Sequence, residues 1–185
     1  MVILDADHPD IESFVSWKSQ EEQKVMALVA GSKLAKEHFN EVIKACQNTD
    51  SEDCFDPNKN PALKNATIRA RKSYLPENAI QRCIDFAKQG YTEIEFETYD
   101  TDWDSESYST VSGQNSNNTI RVTDQFLQAV QNDEDWHLIQ RTDEGISKTI
   151  KARDLWEMIG EAAWSCADPG LQFDTTINDW HTCPN

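Results

Sequence analysis

The chain has 185 residues, with 17 basic and 33 acidic side chains and a formal net charge of -16. That length fits one domain with one core. So negative a field repels phosphate backbones and anionic membrane surfaces, which argues against binding DNA or RNA and against membrane docking. A single nucleotide in a local pocket stays compatible, because backbone N–H groups and helix N-termini act at short range.

Hydrophobic residues make up 38%, which is lean for a soluble domain and fits either an open fold or a segment that packs against more chain. No run of about 18 apolar residues occurs, so no membrane span is predicted. The first residues lack the basic and apolar regions of a signal peptide. The five cysteines, Cys46, Cys54, Cys83, Cys166 and Cys183, are odd in number and irregular in spacing. They do not make a disulfide framework, and reduced thiols in a cytoplasmic protein are expected.

In chain order, residues 1–4 form a short apolar run with β-branched members and read as the tail of a strand. A core-type strand at the first residue predicts an internal segment of a longer chain. Asp7-His8-Pro9-Asp10 opens a helix, with proline at a position where its missing N–H costs nothing and acids at the positive end of the dipole. Further helices are predicted over residues 21–30 and 32–47, followed by a polar loop over 48–60 with Asp-Pro and Asn-Pro pairs. Residues 61–74 and 76–88 read as helices. The second has Ile80, Cys83, Ile84 and Ala87 in one stripe and Gly90 placed to end it.

Ile94 and Phe96 alternate with glutamates, so a short strand is predicted there. Residues 99–118, rich in Asp, Ser and Asn, read as a long exposed loop. A strand over 119–122 leads through the caps Thr123 and Asp124 to a helix ending near 132. Residues 136–139 form an extended piece and Asp143-Glu144-Gly145 a turn. A strong helix spans 151–166, with Trp156 and Trp164 packed along it, and Asp168-Pro169-Gly170 ends it. The last strand is expected over 171–177. Strands alternating with long helices predict an α/β fold with mostly parallel strands, a single segment over 1–185 without an internal domain boundary.

Few residues suggest chemistry. His181 and Cys183 lie close to Asp179, but without paired Cys-x-x-Cys spacing no metal site is predicted. Cys183 beside His181 is a possible reactive thiol, against the commoner structural role of free cysteine. Asp100, Asp102, Asp104 and Glu106 around Trp103 resemble half a calcium loop, but the glycine and the bidentate glutamate are missing, and a solvated acidic loop is expected. Asn178, Asn117 and Asn118 lie near strand ends, where the habits of Asn in turns explain them better than substrate contact. No glycine-rich phosphate loop occurs.

Several longer strings go further. Asp5-Ala6-Asp7-His8-Pro9-Asp10-Ile11-Glu12 with Trp17-Lys18, and Glu21-Glu22-Gln23-Lys24-Val25 leading to Leu28-Val29-Ala30-Gly31-Ser32-Lys33, resemble class II ribonucleotide reductases. So do Thr98-Tyr99-Asp100-Thr101-Asp102-Trp103-Asp104-Ser105-Glu106, Val111-Ser112-Gly113-Gln114-Asn115-Ser116-Asn117-Asn118 and Arg121-Val122-Thr123-Asp124. Lys151-Ala152-Arg153-Asp154-Leu155-Trp156, Gln172-Phe173-Asp174-Thr175-Thr176-Ile177-Asn178 and Trp180-His181-Thr182-Cys183-Pro184 complete a resemblance that covers essentially the whole chain.

The resemblance implies a segment of a ten-stranded α/β barrel. It implies adenosylcobalamin as the radical source and a thiyl radical on a finger-loop cysteine that takes the 3′ hydrogen of a ribonucleotide. Two further cysteines supply electrons as the 2′ hydroxyl leaves as water, a thioredoxin-type donor restores them, and an asparagine and a glutamate beside the finger cysteine handle protons. The implied partners are the remaining barrel segments, the ribonucleotide substrate, a nucleotide effector and the reductant.

The family's Asn-Pro-Cys-Ser-Glu motif is expected beyond Asn185, and its first redox cysteine before Met1. No catalytic, cofactor-binding or metal role is therefore assigned to any residue of this chain, Cys183 included, and the segment alone is expected to be inactive and not to bind the cofactor. The rival expectation is a non-catalytic interaction module that kept the fold and lost the chemistry.

Overall fold

A computed structural model describes residues 1–47, 52–102 and 104–183. The chain forms two compact units, residues 1–24 with 111–185, and residues 25–110.

The first unit is built on a three-stranded parallel sheet. Its strands are β1 (Val2–Asp5), β2 (Asn118–Val122) and β5 (Gly170–Phe173), in the order β1-β2-β5. Ile3 lies opposite Thr119, and Ile120 opposite Leu171. β2 is central, and Ile120 and Val122, two residues apart and so on one face, are fully buried, whereas Arg121 between them is exposed. Thr123 caps α5 (Asp124–Asn132), its Oγ1 accepting from the Phe126 N–H. Phe126 then sits at the middle of the core with Ile11, Val15, Leu138 and Leu155.

An antiparallel hairpin, β3 (Asp135–Ile139) with β4 (Ile146–Lys151), turns through Asp143-Glu144-Gly145 as the sequence predicts. It feeds α6 (Ala152–Cys166), after which β5 passes directly into α7 (Asp174–Asp179).

In the second unit, α1 (Ile11–Cys46), which begins in the first unit, packs Phe39, Val42, Ile43 and Cys46 against α2 (Pro61–Lys72) and α3 (Glu77–Lys88). A 3₁₀ turn at Glu52–Phe55 precedes α2. The buried Asn60 organises this corner. Its Oδ1 accepts from the Ala62 and Leu63 amides, while its Nδ2 donates to the Ala45 and Cys54 carbonyls. It is an N-cap that the loop reading of 48–60 passes over; residues 48–51 lie outside the described residues.

Several expectations are corrected. The separate helices over 21–30 and 32–47 and the one opened by residues 7–10 are a single α1 of 36 residues. Gly31 sits inside it in open space, and the roughly 1 kcal/mol that glycine costs in a helix is outweighed by the stripe of buried residues Val25, Val29, Ala35, Phe39 and Val42. The strand expected at Ile94 and Phe96 has no ladder partner among the described residues. The last strand ends at Phe173 rather than Ile177, because residues 174–179 coil into α7. Trp164 is 88% exposed rather than packed, since it points away from the Leu155–Ile159 stripe, whereas Trp156 packs on the core. The polar stretch 99–118 is not simply an exposed loop. It holds α4 (Glu106–Ser109) and the fully buried Ser107, whose hydroxyl donates to the Asp100 carbonyl.

Two polar features lock the first unit. Lys18 Nζ lies 2.9 Å from Asp168 Oδ2, both nearly buried, and the same carboxylate oxygen accepts from the Asn118 N–H at the start of β2. The pair therefore joins α1, the α6–β5 connection and the central strand. Gly113 adopts φ +71, and a Cβ there would meet the Trp17 ring at 3.0 Å, so only glycine fits this close approach.

Nearby, the buried Glu21 accepts from Lys24 Nζ at 2.6 Å and from the Ser112 N–H. The Lys24 hydrogen bond foremost, with the Ser112 amide, holds its carboxyl below the usual range against the opposing cost of burial.

Lys18→Met removes the partner of a carboxylate that stays buried and is expected to lower stability by about 3 kcal/mol in urea denaturation. A loss under about 1 kcal/mol would show that water, not Lys18, solvates Asp168. For Glu21 the folded-state pKa lies below the unfolded one. Its contribution is present above the ordinary carboxylate range and is lost as pH falls through the folded value. Glu21→Gln should therefore flatten the acid limb of a Tm-against-pH curve; an unchanged limb would assign acid sensitivity to other carboxylates.

Candidate functional site

In sheets whose strands step in one direction, ligands gather at the carboxyl ends of the strands. Here β1, β2 and β5 end side by side, and a cleft of about 310 Å³ opens there, lined by Asp5, Asp7, Arg121, Gln125, Trp136 and Asp174 among others. Asp5 is the last residue of β1 and Asp174 the first after β5, so strand pairing alone brings them to either side of Arg121 on β2.

The Arg121 guanidinium lies 3.7 Å from Asp5 and 3.6 Å from Asp174. Arg141, beyond β3, pairs with Asp7 and lies 3.5 Å from Asp5. The hydrogen bond that Arg141 donates to Asp7 raises its pKa above the usual value. Three carboxylates against two guanidiniums leave the rim slightly negative, which suits hydroxyl and amide groups of a ligand better than phosphate.

The walls are held by their own bonds. Trp136 Nε1 donates to the Ala6 carbonyl at 3.0 Å, and its ring meets Phe126 edge-on at 5.0 Å. The Ile139 N–H donates to the Asp7 carbonyl, and the Asp124 N–H to Thr175 Oγ1, which ties the start of α5 to α7. These contacts fix the cleft on regular elements. Its titratable lining residues are Asp5, Asp7, Arg121 and Asp174.

The residues singled out in the sequence lie elsewhere. Asn118, at the opposite end of β2, accepts from Ser116 Oγ, and Asn178 Nδ2 donates back to Asp174 within α7. Both are satisfied locally. Cys183 is exposed, with its N–H on His181 Nδ1. Among the described residues, no group of three or more His, Cys, Asp or Glu can hold a metal ion. In the acidic stretch Asp100 Oδ1 accepts the Asp102 amide, a local turn, and Trp103 lies outside the described residues.

Cys46 and Cys83 are buried in the second unit, and burial pushes each thiol up to about 11, so neither is a thiolate at neutral pH. Cys54 is also buried and Cys166 half-buried.

One further constellation went unnoticed in the sequence. Ser73 Oγ lies 2.8 Å from His38 Nε2, and His38 Nδ1 lies 3.1 Å from Glu41, which also takes Arg69 Nε. The connectivity is that of a nucleophile, base and carboxylate. The amides that follow Ser73 are committed, however, Tyr74 to the Arg71 carbonyl and Leu75 to the Ala70 carbonyl. With those two amides turned inward, the network ties α1 to the end of α2.

Comparison with known proteins places the chain in a family. The chain is 60% identical to the vitamin B12-dependent ribonucleotide reductase of Bradyrhizobium diazoefficiens over 99% of its length, and 60% identical to that of Agrobacterium fabrum over all of it. The Streptomyces coelicolor protein of the same description is 30% identical over the full chain. The chain spans 15% of the length of the first two relatives and 12% of the third. A family model described as the ribonucleotide reductase barrel domain matches residues 1–185, and the chain belongs to that family.

Proposed function

We propose that this chain is one segment of the barrel of an adenosylcobalamin-dependent ribonucleotide reductase, which reduces ribonucleotides to 2′-deoxyribonucleotides for DNA synthesis. The observation that carries the reading is the 60% identity, over 99% and 100% of the chain, with two reductases named as vitamin B12-dependent. Within that enzyme, the segment contributes the parallel strands β1, β2 and β5 to the wall and the cleft at their ends to substrate recognition. The mixed carboxylates and guanidiniums there suit the sugar and base of a nucleotide.

The radical and redox thiols come from chain outside residues 1–185, in keeping with Cys46 and Cys83 being buried and protonated. The remaining barrel, a nucleotide effector and a thioredoxin-type reductant are its partners, and the compartment is the cytoplasm. No helix among the described residues is long and apolar enough to cross a membrane.

A corrinoid does not fit the described residues by themselves. Five of their clefts measure about 280 to 500 Å³. Pockets of roughly 300 to 1,000 Å³ hold drug-sized molecules, and a corrin with its nucleotide tail is several times larger than those. The cofactor is therefore assigned to other parts of the enzyme, and no step through it is derived from these residues.

The purified chain with adenosylcobalamin, ribonucleotide and thioredoxin should show no deoxynucleotide formation; turnover would overturn the segment reading. Exchange of this chain for the matching stretch of the Agrobacterium fabrum enzyme should preserve reduction, and a folded but inactive chimera would count against it. In that chimera Arg121→Met should raise KM about tenfold or more with a smaller change in kcat, as loss of a charged hydrogen-bonding group in binding predicts. An unchanged KM would remove the cleft from substrate recognition.

A further inference from the structure

Residues 93–97, Glu-Ile-Glu-Phe-Glu, have the two-residue period of a strand. Glu93, Glu95 and Glu97 are exposed, while Ile94 and Phe96 are half-buried and pack on the core of the second unit. Among the described residues they have no strand beside them. The Ile94 amide donates to Asn40 Oδ1 at 3.0 Å, and Phe96 sets its ring edge-on against Phe39 at 5.2 Å. Otherwise, among the described residues, the backbone N–H and C=O groups of 93–97 make no hydrogen bond. A row of open backbone groups is the feature that recruits a further strand.

Beside this segment lies an apolar cleft of about 360 Å³. Ile94 and Phe96 form one wall, and Leu75, Ala79, Cys83 and Phe86 form much of the rest. The opposite face of the segment is the row of three glutamates. A side-chain hydrogen bond with Glu106 foremost, and then the like charge of Glu106, hold the Glu97 carboxyl above the usual range. A second copy of a chain with a net charge of -16 brings more negative charge to that row.

We propose that residues 93–97 are an open strand edge that pairs with a strand of a separate polypeptide, one in which apolar residues alternate with Lys or Arg. Neighbouring residues on paired strands share a face. The partner's apolar side chains then enter the cleft beside Ile94 and Phe96, and its basic ones come to Glu93, Glu95 and Glu97. The open backbone groups supply affinity and the two faces supply specificity, the division of labour in strand addition. The inference is independent of the reductase reading, because it rests on the second unit's backbone, cleft and charge alone.

The test uses the full chain and three short peptides, with amide hydrogen exchange followed residue by residue. One peptide alternates Lys and Val. A second has the same composition with the lysines and valines in separate blocks. The third is the alternating peptide N-methylated at every second amide. The alternating peptide alone is expected to slow exchange within residues 93–97. Replacing Glu93, Glu95 and Glu97 together by Gln should weaken its binding about tenfold, the scale of three exposed ion pairs. Ala79→Phe, which fills the cleft, should abolish the protection with the Tm retained.

Equal protection by the block or N-methylated peptide would overturn the proposal, as would protection confined to other residues. So would protection that rises with protein concentration in the absence of peptide, because the occupant would then be a second copy.

Discussion

The parallel pairing of β2 is the constraint on which the rest of the first unit depends. A parallel neighbour cannot be reached by a tight hairpin, so the chain must leave the sheet after β1 and return to the same end before β2. Residues 6–117 make that excursion, and the whole second unit lies within it. Residues 123–169 make the next, through α5, the β3–β4 hairpin and α6. Because both excursions bring the chain back in the same sense, the three strands finish at one edge, and Asp5, Arg121 and Asp174 meet there although they are far apart in sequence. Lys18 and Asp168 fasten the opposite end, where β2 begins.

The same arrangement accounts for how charge is used. Most of the excess acid is solvated, but at the strand ends carboxylates and guanidiniums are interleaved, so the local field is far milder than the net charge suggests. The thiols follow the opposite rule. Cys46 and Cys83 are placed by packing, and their burial keeps them protonated.

Much of the fold was legible where one physical signal dominated. The stripe Ile80, Cys83, Ile84 and Ala87 gave α3 almost to the residue, Thr123 marked the start of α5, and Asp143-Glu144-Gly145 marked the hairpin turn. Reading failed where two signals competed. Gly31 suggested an interruption that the buried stripe of α1 overrides. Residues 174–177 have β-branched members, yet they coil, because the strand has already run out of ladder at Phe173. Glu93–Glu97 has strand alternation without a neighbour to complete it. Trp164 lies on the solvent side of α6, which its hydrophobicity alone does not reveal.

The sequence by itself determined the family, the acid excess and most helices, because these depend on composition, long specific strings and local periodicity. Only the tertiary structure decided the strand order, the burial of Lys18 with Asp168, the committed amides around Ser73 and the cleft at Asp5, Arg121 and Asp174. Those depend on which distant segments lie side by side. Residues 93–97 show the boundary between the two: alternation is written in the chain, but whether a strand forms depends on the backbone beside it.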